Sequence, residues 1–204
     1  RFAIPVIGVT GSNGKTTVKE MVAAILRQAS ATGKAEDNGQ TDYVLATEGN
    51  LNNDIGVPQM LLRLQRQHRY AVIEMGMNHV GEIAYLTRLV KPSIALITNA
   101  GAAHIAGLGS VEAVARAKAE IIAGLDQQGT AVINADDKYA LLWRECASTR
   151  KIVDFGLREK AQVSAEYQVD ILVNRIRLKL PDGVVDLKLQ APGVHNVYNA
   201  MAAA

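Results

Sequence analysis

Aromatic side chains make up only 4% of the 204 residues, and there is one cysteine, Cys146. A single cysteine excludes an internal disulfide and fits a reducing compartment, so a cytoplasmic location is expected. Cys146 itself reads as a small, partly buried residue. Charge of either sign is not in excess: 22 Lys and Arg against 20 Asp and Glu leave a net charge of +2. Nucleic-acid binders show clustered basic patches interleaved with aromatics, and the chain has neither, so no nucleic-acid partner is expected. No apolar run approaches the ~20 residues that cross a bilayer, and no signal peptide or internal repeat is visible, which argues for no membrane segment. The length suits one sizeable domain, expected as a monomer. Both ends read as cut: the chain starts at Arg1, and Asn199 to Ala204 opens a helix that stops without a cap. A segment excised from a longer protein is therefore expected.

What is present is a phosphate-binding loop. Residues 6–17 read Val-Ile-Gly-Val-Thr-Gly-Ser-Asn-Gly-Lys-Thr-Thr, an apolar strand, a glycine-bracketed turn and Lys-Thr-Thr. Gly11 and Gly14 let the backbone approach an anion closely. The N–H groups from Gly11 through Ser12, Asn13 and Gly14 to Thr17 then converge on phosphate at the positive end of the next helix. Lys15 supplies a cation for the β- and γ-phosphates, and Thr16 a hydroxyl for Mg²⁺. The commonest loop of this kind has a glycine five residues before the second one, where this chain has Val9; the form here is shorter. The bland alternative, a chance Gly-Lys-Thr in a surface turn, is opposed by the residues after Thr17. Val18, Met21, Val22, Ile25 and Leu26 form one buried helical stripe, so strand, turn and helix come in the required order.

Further along, strand-like runs at Tyr70–Met75, Ser93–Thr98, Thr130–Asn134 and Lys151–Phe155 alternate with helical patterns at 58–67, 81–90, 111–125 and 137–147. Near-continuous apolar strands separated by helices predict an α/β fold: a mostly parallel sheet with helices on both faces, of the P-loop mononucleotide-binding type. Pro58 suits a helix start, and Pro92 ends the helix before it. Residues 30–42 are polar and glycine-dotted and read as a mobile loop. After residue 160, alternation at 169–180 and 184–190 around Pro181-Asp182-Gly183 predicts a small antiparallel flap near the C-terminus.

Several residues could carry chemistry. Glu74 ends a buried strand beside the phosphate-loop strand, where such folds hold Mg²⁺; otherwise it is a solvated carboxylate. His104 follows the next strand, in the crevice region of doubly wound sheets, where a neutral imidazole can ligate metal; a lone loop histidine is more often structural. Lys118 falls on the apolar stripe of its helix, with Val114, Ala115, Ile121 and Ile122. A buried ammonium is costly unless paired, neutralised or able to snorkel, and a desolvated lysine loses its proton readily. Asn50, Asn52 and Asn53 form an amide-rich loop that could contact phosphate or carboxylate, or could merely make a turn and cap. His195, Asn196 and Asn199 flank the final helix; Asn side chains there could read an adenine edge, or Asn196 could be an N-cap.

These runs meet a known family along essentially the whole chain. Gly8-Val-Thr-Gly-Ser-Asn-Gly-Lys-Thr-Thr-Val-Lys-Glu-Met21 resembles the ATP loop of the Mur ligases. Gly49-Asn-Leu-Asn-Asn-Asp-Ile-Gly-Val-Pro58, Val72-Ile-Glu-Met-Gly-Met-Asn-His79 and Ala117-Lys-Ala-Glu-Ile121 are similar to the branch that joins D-alanyl-D-alanine (D-Ala-D-Ala) to UDP-MurNAc-tripeptide. The match covers the family's central ATP-binding domain, residues 1–204 here, without the flanking UDP-substrate and C-terminal Rossmann-like domains. The resemblance implies ATP on Gly11 to Thr17, with Lys15 catalytic and Asn196 and Asn199 at the adenine. It implies one Mg²⁺ on Thr16 and Glu74, and a second held by His104 and by Lys118 as a carbamate. It also implies an acyl-phosphate route to an amide in peptidoglycan precursor synthesis. A folyl- or cyanophycin-type synthetase shares the loop, and a nucleotide-binding module without ligase chemistry is the third reading. The absence of a guanine motif argues against a signalling GTPase, since Asn134-Ala-Asp-Asp lacks its lysine.

Overall fold

The computed structural model describes residues 3–31, 42–102 and 105–204. The chain opens with strand β1 (Val6–Thr10) and helix α1 (Lys15–Ala31). It continues through β2 (Val44–Ala46), α2 (Gly56–Leu62), β3 (Tyr70–Glu74), α3 (Glu82–Val90) and β4 (Ile94–Ile97). Then come α4 (Ile105–Leu108), α5 (Val111–Ala123), β5 (Thr130–Asn134), α6 (Ala140–Cys146) and β6 (Lys151–Phe155). Strands β7 (Ser164–Val169), β8 (Asn174–Leu180) and β9 (Gly183–Leu189) precede the last helix, α7 (Val194–Ala203).

Strands β1 to β6 form one sheet in the order β2-β3-β1-β4-β5-β6, with every pairing parallel. The apolar runs explain this, since a strand buried on both faces cannot alternate. Side chains pointing to one face, such as Ile73, Met75, Ile97 and Ile133, pack with Ile83 and Leu86 of α3, Val114 and Ile121 of α5 and Trp143 of α6. The opposite face carries Ile7, Val9, Val72 and Leu96, which pack with Val18 and Val22 of α1 and Val197 and Met201 of α7. Gly8 marks the closest approach on the first face: an added Cβ would stand 2.6 Å from the Met75 methyl. Strands β7, β8 and β9 form the separate antiparallel sheet. Its inner residues Ile176 and Leu178 join the α1–α7 side of the core. Asn174, wholly buried, donates to the carbonyls of Ala191 and Gly193 at 2.9 Å and so fixes the entry into α7.

The expected elements differ in places. Helix α2 begins at Gly56 rather than Pro58, because Asn53 accepts from the Ile55 and Gly56 amides at 3.2 and 2.8 Å and starts the turn earlier. Residues 30 and 31, expected as loop, continue α1, where the Ser30 hydroxyl donates to the Leu26 carbonyl; residues 32–41 lie outside the described residues. The flap has a further strand, β7, whose polar alternation gave no sign in the sequence. Cys146 is exposed rather than partly buried. Among the described residues no helix is long and apolar enough to cross a membrane.

Candidate nucleotide site

Strand β1 lies at the centre of the sheet, flanked by β3 and β4. The chain runs to one edge and then returns to build the other, so the crevice beyond the C-terminal end of β1 is a topological switch point, where doubly wound sheets bind ligands. The loop of residues 11–14 fills that position. Gly14 has φ +82° and an added Cβ would sit 2.4 Å from Asn199 Oδ1; at Gly11 it would sit 1.8 Å from Thr98 Oγ1. Glycine is required at both. The loop is pinned from β4's exit: the Asn13 N–H donates to Asn99 Oδ1, and Asn99 Nδ2 and Thr98 Oγ1 donate to the Asn13 carbonyl at 3.0 and 2.6 Å. The Ser12 amide donates to the Asn99 carbonyl at 3.0 Å. The first N–H groups of α1 have no helical partner by geometry and face the same crevice.

Charge gathers here. Lys15 donates to the Gly11 carbonyl at 2.8 Å. Burial lowers its pKa, with Glu74 opposing. The Glu74 carboxylate is buried and accepts from Thr16 Oγ1 at 2.9 Å and from Asn52 Nδ2 at 2.8 Å. Its own amide donates to Thr47 Oγ1. Lys118 on α5 is 1% exposed. Burial, and then the Lys15 ammonium, push it from 10.5 down to about 7. The apolar-stripe expectation therefore holds: Lys118 is inside, beside the phosphate-loop lysine.

The other expected residues are more scattered. Asn52 faces Glu74, while Asn53 Oδ1 accepts from the amides that lead into α2 and Asn50 is exposed. Asn199 touches the loop at Gly14 and donates to Asn196 Oδ1 at 3.0 Å. Asn196 is not the N-cap, which is Gly193; its amide instead reaches back to the Pro192 carbonyl. His104 lies outside the described residues. Hard oxygen donors from Thr16 and Glu74 fit Mg²⁺, which keeps waters and phosphate oxygens and needs no all-protein cage. Among the described residues there is no cluster of His, Cys, Asp or Glu sufficient for such a cage.

Next to the loop lies a cleft of about 520 Å³, lined by Asn13, Gly14, Asn134, Asp136, Tyr198 and Asn199 among others. Sequence reasoning missed Asn99, Asp136 and Tyr198. The signal for the first two was position, since both follow the C-terminal ends of parallel strands. Burial works against ionisation of Asp136, yet hydrogen bonds from Tyr198 and the amides of Glu159, Leu157 and Arg158 hold it below the usual carboxylate range. Burial and that same carboxylate raise the Tyr198 phenol to about 12. Burial raises the Asp137 carboxyl despite bonds from the Tyr139 and Ala100 amides.

A central parallel strand, a glycine loop at a helix N-terminus, a loop lysine and a Thr–Glu pair beside it define a phosphate-loop nucleotide-binding domain. Residues 9–204 match the Mur ligase middle domain. Over 201 residues the chain is 45% identical to the UDP-N-acetylmuramoyl-tripeptide–D-alanyl-D-alanine ligase of Escherichia coli, covering 98% of this chain and 42% of that protein. The crystal structure of MurF from Acinetobacter baumannii matches with a TM-score of 0.88 at 40% identity, over 98% of this chain and 41% of that one. MurF from Thermotoga maritima in complex with ADP matches with a TM-score of 0.83 at 27% identity, over 99% and 44%. The chain belongs to the Mur ligase family, as its middle domain. It spans about 42% of the length of the E. coli relative.

Proposed function

We propose that the protein is an ATP-dependent, ADP-forming amide ligase that adds D-alanyl-D-alanine to UDP-MurNAc-tripeptide in cell-wall precursor synthesis, with this chain as its central ATP-binding domain. The relative in E. coli carries that activity in its name, and the neighbour from T. maritima was solved with ADP. The observation that carries the reading is the cluster at the loop: Thr16 bonded to Glu74 at 2.9 Å, with Lys15 over the loop and Lys118 buried beside it.

The reaction has two steps. The terminal carboxylate of the tripeptide attacks the γ-phosphorus of ATP, giving an acyl phosphate and ADP; the amine of the dipeptide then attacks the acyl carbon and expels phosphate. Two anions must meet in the first step, so fixed positive charge is the main need. Lys15 leaves the Gly11 carbonyl to meet the β- and γ-oxygens, and the amides of residues 11–17 hold the triphosphate in line. Thr16 and Glu74 would hold Mg²⁺, which would neutralise phosphate charge. Asn196 and Asn199 would read the adenine, and Asn50, Asn52 and Asn53 would contact phosphate or the acceptor; the bond from Asn52 to Glu74 supports the last assignment for Asn52. Lys118, whose pKa burial brings down to about 7, would take up CO₂ as a carbamate with release of a proton and, with His104, would hold a second Mg²⁺. The enzyme works as a cytoplasmic monomer. Substrate trials with purified full-length protein test the reading: ADP release that depends on both UDP-MurNAc-tripeptide and D-Ala-D-Ala supports it, and release indifferent to the dipeptide overturns it.

A further inference from the structure

One carboxylate ties together the walls of the nucleotide cleft. Asp136 leaves the end of β5, and its side chain is 2% exposed. Oδ2 accepts from the Leu157 amide at 2.7 Å, the Arg158 amide at 3.0 Å and the Tyr198 hydroxyl at 2.6 Å. Oδ1 accepts from the Glu159 amide at 2.7 Å. The Arg158 guanidinium adds a bond to the Asp136 main-chain carbonyl at 3.2 Å. Gly156 makes room, since an added Cβ would be 2.9 Å from Oδ1. A carboxylate offers about four acceptor sites, so this one is saturated by the protein and has little left for a ligand.

The three segments it joins are the exit of β5, the turn after β6 and helix α7. Helix α7 follows Gly193 with no side-chain cap; Asn174 anchors its entry, and Tyr198 ties the turn after that to Asp136. Tyr198 is the neighbour of Asn199, whose Oδ1 lies against Gly14 of the phosphate loop. Moving Tyr198 moves Asn199 and, one turn back, His195, which also lines the cleft.

We propose that Asp136 and Tyr198 form a positioning pair that sets the width of the nucleotide cleft by fixing α7 against the turn of residues 157–159, without either side chain being a ligand contact. This rests on the nucleotide reading above. The pair acts on affinity for the nucleotide, because it shapes the wall at Asn199 and His195 and lies apart from the Lys15–Glu74 cluster where phosphate is transferred.

The test uses full-length protein with Tyr198→Phe, Asp136→Asn and the double substitution. Tyr198→Phe removes one hydroxyl and keeps the ring, so it remains informative if Asp136→Asn fails to fold. Calorimetry with ADP and with 2′-deoxy-ADP reads affinity, and steady-state kinetics read KM for ATP against kcat. A networked pair predicts that each single variant weakens ADP binding roughly tenfold and raises KM for ATP more than it lowers kcat, with the double variant no worse than the weaker single one. Equal losses for ADP and 2′-deoxy-ADP are expected, since the carboxylate is already saturated by protein donors and the pair acts through the wall. Variants that bind ADP as tightly as wild type, or whose losses simply add, overturn the inference even where melting temperatures fall. Asp136→Asn losing binding for ADP but not for 2′-deoxy-ADP overturns it in favour of a direct contact. A wild-type protein that binds no ADP overturns the nucleotide reading itself, and this inference with it.

Discussion

Lys118→Met should make the protein more stable, and the gain should shrink as pH rises. The unfolded chain holds the lysine proton up to about 10.5, whereas the folded chain releases it near 7. Between those values unfolding takes up a proton, so wild-type stability climbs with pH at roughly 1.4 kcal/mol per unit. The penalty for burying the ammonium is thus roughly 4 kcal/mol at pH 7 and roughly 2 kcal/mol at pH 9. Methionine fills similar space without a charge. Relief of the neighbouring Lys15 in the variant works in the same direction. Urea unfolding of both proteins at pH 7, 8 and 9, in buffer stripped of CO₂, gives the stability gap at each pH. Any change in packing is independent of pH and cancels when the gaps are compared. A gap that stays flat to within about 0.5 kcal/mol from pH 7 to 9 would refute the buried-ammonium account.

Three further outcomes are expected. In ¹³C-bicarbonate at pH 8, a carbamate resonance should appear in wild type and be absent from Lys118→Arg, because an amine titrating near 7 is mostly neutral there and an ordinary lysine almost wholly charged; equal spectra would count against the adduct. Glu74→Gln should bind ATP alone much as wild type does but lose most of the gain that Mg²⁺ brings, as read by calorimetry with and without the ion. Gly14→Ala should cost about 1–3 kcal/mol in urea unfolding and abolish ATP binding, because φ is +82° there and the new methyl meets Asn199; unchanged binding would show that the loop is not the cradle.

The parallel sheet was legible because Val6–Thr10, Tyr70–Glu74, Ile94–Ile97 and Thr130–Asn134 are apolar without alternation, which leaves few other places for them. Lys118 was legible for the opposite reason, as a charge where the helical period demanded an apolar residue. Strand β2 escaped notice because three residues carry no period. Strand β7 escaped because Ser164, Glu166 and Gln168 make its outward face look like loop. Asp136 and Tyr198 were invisible for a different reason. Each is ordinary in its own stretch, and their meaning comes only from a contact 62 residues apart in the chain. Helix periodicity cannot report such a meeting. The same holds for Asn99, which grips the Asn13 peptide from 86 residues away.

Helix α7, the last element, packs on α1, the first helix, and brings Asn199 to the glycine turn at residue 14. The glycine turn comes near the start of this stretch of chain, and the α7 wall that would face the base, on the proposed reading, comes at its far end. On the ribosome, then, the emerging polypeptide has its glycine turn long before it has the helix that completes the cleft beside it. A nucleotide bound as proposed would therefore stabilise the closing stage of folding and not the early ones.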